Sequence, residues 1–458
     1  VKRTLTPVAL AAAWALTMGG HAAQAQTPAA AEPDASPAAD TAPFALFDSF
    51  EQATGLKLQG YLQAGASFNN RSTHDQATGG HSNFPVVGPS DEGLQLNELH
   101  VALSKAMRSN LLPRITPLPG PVPWDYSWGF NAELLYGRNG LPASMHGLDA
   151  DWRVNKSPTG VAPGSNRQAY WATPQVYAEA YLPWWQGMTV MAGRFGAGVG
   201  YEIPPSFRPG PDFFYSRTYA FVAQPDQVAG VLASVNVLRS ELGLVATELG
   251  VVNGRQNWRD NNGDKSVIGA VRWRSSDMAT WVDYSFMTGN EQNDPGVTPQ
   301  MPTSRIISPR GQRRSHHALN LVLHPMNRVE VHAEALMGEQ RADGQPDTID
   351  ILTGPGFKGG RYQGLNAQVS WRASDTLQYA LRAETFQDRK AIALFPVTAV
   401  PGDFNALTLG ARIDLTRNVL LRPELRYDWQ SHNQGVRAFG GGSASNQTTL
   451  SADLVFYF

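Results

Sequence analysis

The chain of 458 residues has no cysteine, which excludes a disulfide framework, a thiol nucleophile and cysteine-ligated zinc. It lacks an excess of either charge, since 37 Lys and Arg stand against 39 Asp and Glu. A formal charge of −2 argues against nucleic acid as a partner, because a polyanionic backbone calls for a basic face. Charged residues make up only 17% of the chain. No apolar run reaches the roughly 20 residues that a membrane-crossing helix needs. In place of these features the chain carries 44 Gly, 32 Pro, 12 Trp, 14 Tyr and 19 Phe.

The first residues have the layout of a secretory signal peptide, expected over 1–25. Lys2 and Arg3 form a basic start, Pro7 to Met18 an apolar run, and Ala23-Gln24-Ala25 a small-residue cleavage site. The exported chain then begins near Gln26. Gln26 to Pro43, rich in Ala, Pro, Asp and Thr, reads as a flexible linker. Phe44 to Gly55 has the pattern of a short amphipathic helix, so 26–56 is expected to be a periplasmic linker ahead of the main domain.

From Lys57 onward the dominant period is two. In Val419 to Gln430, Val419, Leu421, Pro423, Leu425, Tyr427 and Trp429 alternate with Leu420, Arg422, Glu424, Arg426, Asp428 and Gln430. Four charges in a row on one face, opposed by an apolar face that ends in aromatics, fit a strand between lipid and water better than a soluble sandwich strand. Sixteen such segments occur, near 57–68, 94–105, 126–137, 174–183, 188–195, 226–237, 241–252, 265–274, 278–288, 313–324, 328–338, 361–372, 376–388, 404–415, 419–430 and 447–458. Most reach the roughly 9 to 11 residues that a tilted strand needs to cross a bilayer. Short turns alternate with long loops, the pattern of an outer-membrane barrel. Lipid cannot hydrogen-bond a backbone, so a spanning sheet must close on itself, with an apolar outside and an inside free to be wet. The fold class expected is all-β, a transmembrane antiparallel up-and-down barrel of about 16 strands over 57–458.

The aromatics test that topology. With the N-terminus in the periplasm, Trp128, Phe130, Trp273, Trp371, Phe456 and Phe458 fall near the periplasmic rim, and Tyr136, Tyr427 and Trp429 near the outer rim. Two places resist it. Residues 106–125, with Pro113, Pro117, Pro119, Pro121 and Pro123, are too long for a short periplasmic turn, and 213–222 has the composition of an additional strand but reads better as part of a loop.

Several blocks in order carry a resemblance: Gly129-Phe-Asn-Ala-Glu-Leu-Leu-Tyr-Gly137, Pro174-Gln-Val-Tyr-Ala-Glu-Ala-Tyr181, Val190-Met-Ala-Gly-Arg-Phe195 with Gly200-Tyr-Glu202, Phe213-Phe-Tyr-Ser216, and Gly250-Val-Val-Asn-Gly254 with Asp260-Asn-Asn-Gly-Asp264. Over roughly 57–458 the sequence resembles the putative β-barrel porin-2 family, the OmpL-like porins of Gram-negative bacteria. The resemblance implies an outer-membrane barrel assigned as a porin, with no catalytic residues to carry over. The terminal Phe458 resembles the signal read by the barrel-assembly machinery. The proline-rich 106–125 departs from the family pattern.

Strand phase places Arg272, Arg274, Arg372, Arg382, Arg412, Arg422 and Arg426 inside, with Glu133, Glu179, Glu330, Glu334, Glu384, Asp414, Glu424 and Asp428. Such groups either line a pore, where they filter ions, or pair across strands and hold the wall. The Arg-rich wall over 372–426 suggests a mild anion preference. Loop 196–225, holding Glu202, Arg208, Asp212 and Arg217 among prolines and aromatics, is the constriction candidate, with a cap over the outer mouth as its alternative.

Other motifs weigh less. Asp260, Asn262 and Asp264 beside Gly263 resemble a calcium loop, but no bidentate Glu follows at the required spacing, so no metal is expected. Ser315 and His317 share one strand face and His316 the other, which leaves no Ser–His contact along one strand. Gly440 to Gly442 lacks the Lys-Ser/Thr of a phosphate loop.

The leading functional reading is a passive outer-membrane channel for small hydrophilic solutes or ions, without enzymatic activity or cofactor. Its expected partners are outer-membrane lipid, the assembly machinery during insertion and, as an open alternative to a single barrel, two further copies in a homotrimer. The competing readings are a structural or adhesive barrel with a closed lumen and, more remotely, an outer-membrane enzyme. An energy-coupled transporter is disfavoured because residues 26–56 are too few for a plug domain.

Overall fold

The computed structural model describes residues 47–458 apart from 76–79, 84–87, 113–115, 141, 150–168, 203–211, 261, 292–305, 308–311, 343–348, 351–353, 357 and 395–399. The expected signal peptide, the linker 26–43 and Arg208 lie outside the described residues. A short helix α1 (Asp48–Thr54) falls within the expected amphipathic stretch and ends at Gly55, whose φ of 71° is a left-handed cap that glycine adopts without strain.

Sixteen wall positions follow: β1 (Lys57–Asn69), β2 (Gly93–Lys105), β3 (Ser127–Gly137), β4 (Val176–Leu182), β5 (Met188–Gly196), β6 (Gln227–Ser240), β7 (Gly243–Val252), β8 (Ser266–Arg274), β9 (Trp281–Glu291), β10 (Gln312–Met326), β11 (Val329–Gln340), β12 (Gly360–Arg372), β13 (Leu377–Asp388), β14 (Gly402–Thr416), β15 (Val419–Ser431) and β16 (Asn446–Tyr457). Each pairs antiparallel with the next, and β1 pairs with β16 from Tyr61 opposite Tyr457 to Asn69 opposite Thr449, so the sheet is a closed barrel. The fourth position is broken. Tyr170–Ala172 pairs with the upper part of β3 and β4 with its lower part, and the gap between them holds Pro174, which has no N–H to give a ladder.

Burial separates the two faces. On β15 the outward Leu425, Tyr427 and Trp429 are exposed, whereas the inward Arg422, Glu424, Arg426 and Asp428 are all buried. Around the barrel Leu94, Leu249, Leu319, Val369, Leu381, Leu409 and Leu450 are likewise exposed. An apolar exterior around a polar interior is what lipid selects, and water would select the reverse. Among the described residues no helix is long and apolar enough to cross a membrane.

Aromatics cluster outward at both ends. Trp371 stacks on Tyr379 toward one end; toward the other Tyr427 stacks on Trp429, and Tyr136 lies tilted against Trp171. The stretch 213–222 is not a strand of the wall: it is loop leading into helix α2 (Tyr219–Ala223), whose N-cap Thr218 accepts the Phe221 N–H at 3.1 Å.

Candidate functional site

The lumen is built by inward phase, and its charges meet across neighbouring strands. Arg422 faces Asp453 in register and forms two bonds to it, at 3.0 and 2.6 Å. Arg272 faces Asp283 at 2.7 Å and also approaches Glu248 at 3.4 Å, while Arg274 joins the same aspartate. Arg426 holds Asp428 at 2.9 Å and Glu384 at 3.0 Å. Glu384 also lies 3.7 Å from Arg382. In a low-dielectric wall such charges persist only when paired and hydrogen-bonded.

The described parts of loop 197–226, residues 197–202 and 212–226, then enter the barrel. Glu424 accepts the backbone N–H groups of Tyr215 and Ser216, each at 3.0 Å, and the Ser451 hydroxyl at 3.1 Å. Arg382 donates to the Ser216 carbonyl at 3.0 Å and pairs with Glu202 at 3.2 Å. Arg426 donates to the Arg217 carbonyl at 2.9 Å. Glu384 accepts the Tyr219 N–H, and Asp428 the Tyr219 hydroxyl, each at 2.7 Å. Further round, the Tyr215 hydroxyl bonds Gln95 and Asn97 on β2, and the Tyr201 N–H bonds Glu334 on β11. Two inward glycines make room: a Cβ on Gly65 would strike the Tyr215 ring, and one on Gly410 the Phe214 ring.

The loop's own charges are consumed as well. Asp212 pairs with Arg217 inside the loop, and Glu202 accepts the Thr218 N–H and hydroxyl besides meeting Arg382. Thus Glu202, Asp212 and Arg217 hold the loop's shape and seat rather than presenting bare charge to a bore. Burial drives the Asp226 carboxyl, at the loop's far end, up to about 7, against the pull of Arg255 and Arg217.

Of the fifteen residues that strand phase placed inside, ten are buried, Arg274, Glu133 and Glu334 among them. Arg272, Arg382, Glu384, Arg422, Glu424, Arg426 and Asp428 are buried, six of them against or just beneath the loop. Arg372 and Asp414 are exposed and Arg412 half-buried, at the end of the lumen where β12 finishes and β13 begins. Glu330 and Gln378 keep partial exposure at that same end, and Asn131, Tyr177 and Glu179 keep it on the β3–β4 wall. Glu133 is buried in a network absent from the phase analysis as a unit: His100 lies 3.3 Å from Glu98 and 3.1 Å from Glu133, with the Tyr61 hydroxyl on Glu98.

Segment 106–126 contains a small hairpin, Leu111–Leu112 with Thr116–Pro117, and lies against the inner face of β4 to β8. The Tyr181 hydroxyl donates to the Pro123 carbonyl at 2.8 Å, Arg239 to Leu118 at 3.0 Å, and Asn110 to the Gln186 carbonyl at 2.9 Å. It forms a second inward element, at the opposite end from the entry of loop 197–226. Proline richness marked it as unusual, yet its partners sit 58 to 126 residues away in the chain and left no local sign.

The remaining motifs resolve simply. Asp260 accepts the N–H groups of Asn262 and Gly263 and pairs with Lys265, a turn closed by an ammonium. Among the described residues no group of His, Cys, Asp and Glu could hold a metal. His316 points inward to the Tyr362 hydroxyl at 2.9 Å, and His317 outward to the Tyr284 hydroxyl at 2.8 Å.

Residues 55–458 match the family described as putative beta-barrel porin-2, OmpL-like. No curated protein matches the sequence. Among solved structures the chain is similar to the outer membrane channel DcaP of Acinetobacter baumannii, at 9% identity and a TM-score of 0.50, covering 88% of this chain and 97% of that one. It is also similar to the anion-selective porin from Comamonas acidovorans, at 11% identity and 0.49 over 88% and 99%, and to Salmonella typhi OmpF in complex with daunomycin, at 12% and 0.47 over 88% and 97%.

Proposed function

The chain belongs to the putative β-barrel porin-2, OmpL-like family, and from that premise we propose that it conducts small hydrophilic solutes or ions passively across the outer membrane. The observation that carries this reading is the closed barrel with an apolar outside and a charged inside, into which loop 197–226 folds along one wall. Solute passes between that loop and the β3–β4 wall, where Asn131, Tyr177 and Glu179 keep exposure, and reaches the periplasmic end beside Glu330, Arg372, Gln378, Arg412 and Asp414. Those exposed charges are mixed in sign. Most arginines of the 372–426 wall are neutralised by carboxylates, so weak ion selectivity follows rather than the anion preference that the arginines alone suggest.

The same reading has the chain exported through the periplasm after losing residues 1–25, inserted by the barrel-assembly machinery and surrounded by outer-membrane lipid, alone or as a homotrimer. It assigns no enzymatic step to the lumen. Purified protein in a planar bilayer tests it: stepwise currents that scale with salt are expected, and a folded barrel that never conducts overturns it.

A second reading, a structural barrel with a closed lumen, is favoured by the burial of ten of the fifteen residues that strand phase places inside. The two separate on one variant. Removing residues 203–224 leaves a conductor larger than wild type if the loop narrows a pore, but turns a silent barrel into a conductor if the loop seals it.

A further inference from the structure

Outside the lumen, the extracellular ends of β10 to β13 carry a charged concavity on the face that meets the membrane. Its volume is about 530 Å³, and Arg361, Arg389, Glu339, Gln363, Gln387 and His317 are among its lining residues. Strand register orders it in rows. His317, Met337, Gln363 and Gln387 form one row, level with the Tyr284–Phe286–His317 aromatic stack. One row further out stand Ser315, Glu339 and Arg361, with Arg389 beyond the end of β13. Below lie the exposed Leu319, Val369 and Leu381. The guanidinium groups therefore occupy the level at which lipid tails give way to head groups.

Exposed basic side chains gather at this level. Arg313, Arg341, Lys358, Arg361 and Arg389 are exposed, and Glu339 and Asp403 pair with three of them. Glu339 is shared between Arg341 at 2.7 Å and Arg361 at 3.2 Å, and the Arg361 side chain remains 86% exposed. Arg389 holds Asp403 through two bonds, with half of its side chain in the open. Arg361 meets Glu339 through Nε, and Arg389 meets Asp403 through Nε and one terminal nitrogen; their other guanidinium N–H groups, flanking Gln363 bonded to Gln387 at 2.7 Å, are donors suited to a tetrahedral oxyanion.

We propose that this concavity binds the phosphate group of a phosphorylated glycolipid in the outer leaflet, with Arg361 and Arg389 as its principal ligands. Acyl chains of the same lipid lie along Leu319, Val369 and Leu381, so phosphate and tails are recognised by one continuous surface. The inference rests on the outer-membrane porin reading only for which end of the barrel faces outward.

The test uses full-length protein in detergent with a fluorescent bisphosphorylated lipid A, its dephosphorylated counterpart with the same acyl chains, and inorganic phosphate as competitor. Wild type is expected to prefer the phosphorylated lipid by about 10-fold or more, and millimolar phosphate to leave it bound. Arg361→Ala/Arg389→Ala should abolish the preference and Arg361→Lys/Arg389→Lys keep part of it, all with the heat-dependent gel shift of a folded barrel. Equal binding of both lipids, an unchanged preference in the alanine variant, or displacement by inorganic phosphate alone overturns the proposal. So does a variant that loses an oligomer on native mass spectrometry while keeping its lipid preference, since the occupant is then a second copy of this chain. Conductance recorded on the same alanine variant should equal wild type; silence from both proteins alongside intact lipid preference counts against the channel reading and not against this site.

Discussion

At the scale of single residues, the buried charges are bound to one another tightly enough that each has a foreseeable effect. His100 separates Glu98 from Glu133 and bonds both. Replacing it by Leu leaves two carboxylates facing each other without a cation, a loss of about 3 to 5 kcal/mol, to be read as a lower temperature for the heat-dependent gel shift. Glu424 holds the inward loop through two backbone N–H groups. Glu424→Ala removes charge-assisted bonds worth about 1.5 to 3 kcal/mol each, so the loop should leave its seat more often. Single-channel recordings check this: current noise and mean conductance both rise, and a trace like wild type counts against the loop's role. Asp226 supplies a pH test. Its folded value is raised to about 7, above that of an exposed carboxyl. The neutral form is therefore the one the fold prefers, and stability is full at low pH and falls as pH climbs from about 4 towards 7. Asp226→Asn should flatten that part of a melting-temperature profile, while a profile of unchanged slope places the pH dependence elsewhere.

At the scale of elements, two segments do what strands cannot, which is to lie inside the barrel against its inner wall. The 106–126 segment rests on Tyr181, Gln186 and Arg239 at the periplasmic end. Replacing residues 107–125 with a short turn should admit larger sugars in a liposome-swelling assay, and an unchanged size cut-off shows that the passage runs elsewhere. Its effect should add to that of a shortened inward loop, because described contacts tie the two elements to different parts of the wall, β4 to β8 for one and chiefly β11 to β16 for the other.

At the scale of the whole molecule, closure is the decisive event. Nine register pairs join β1 to β16, and an open sheet in lipid would leave those N–H and C=O groups unpaired at several kcal/mol each. A chain lacking residues 446–458 should therefore show no heat-dependent gel shift, since no barrel forms. The strands themselves were legible without coordinates: every one of the sixteen wall positions overlaps a segment of period-two alternation, because the side chains of a strand see lipid and lumen in turn and each segment records this locally. Inward phase was legible for the same reason, so Arg422, Glu424 and Arg426 were placed on the correct face. What they touch was not. The Tyr215 N–H that Glu424 accepts lies 209 residues away in sequence, and no alternation reports a loop's route through a barrel. By itself the sequence determined which atoms face oil and which face the lumen, since that choice is made residue by residue against a solvent. Only the tertiary structure decided that most lumen charges neutralise one another and clasp a loop, because that depends on which distant backbone groups arrive within hydrogen-bond reach once the barrel has closed.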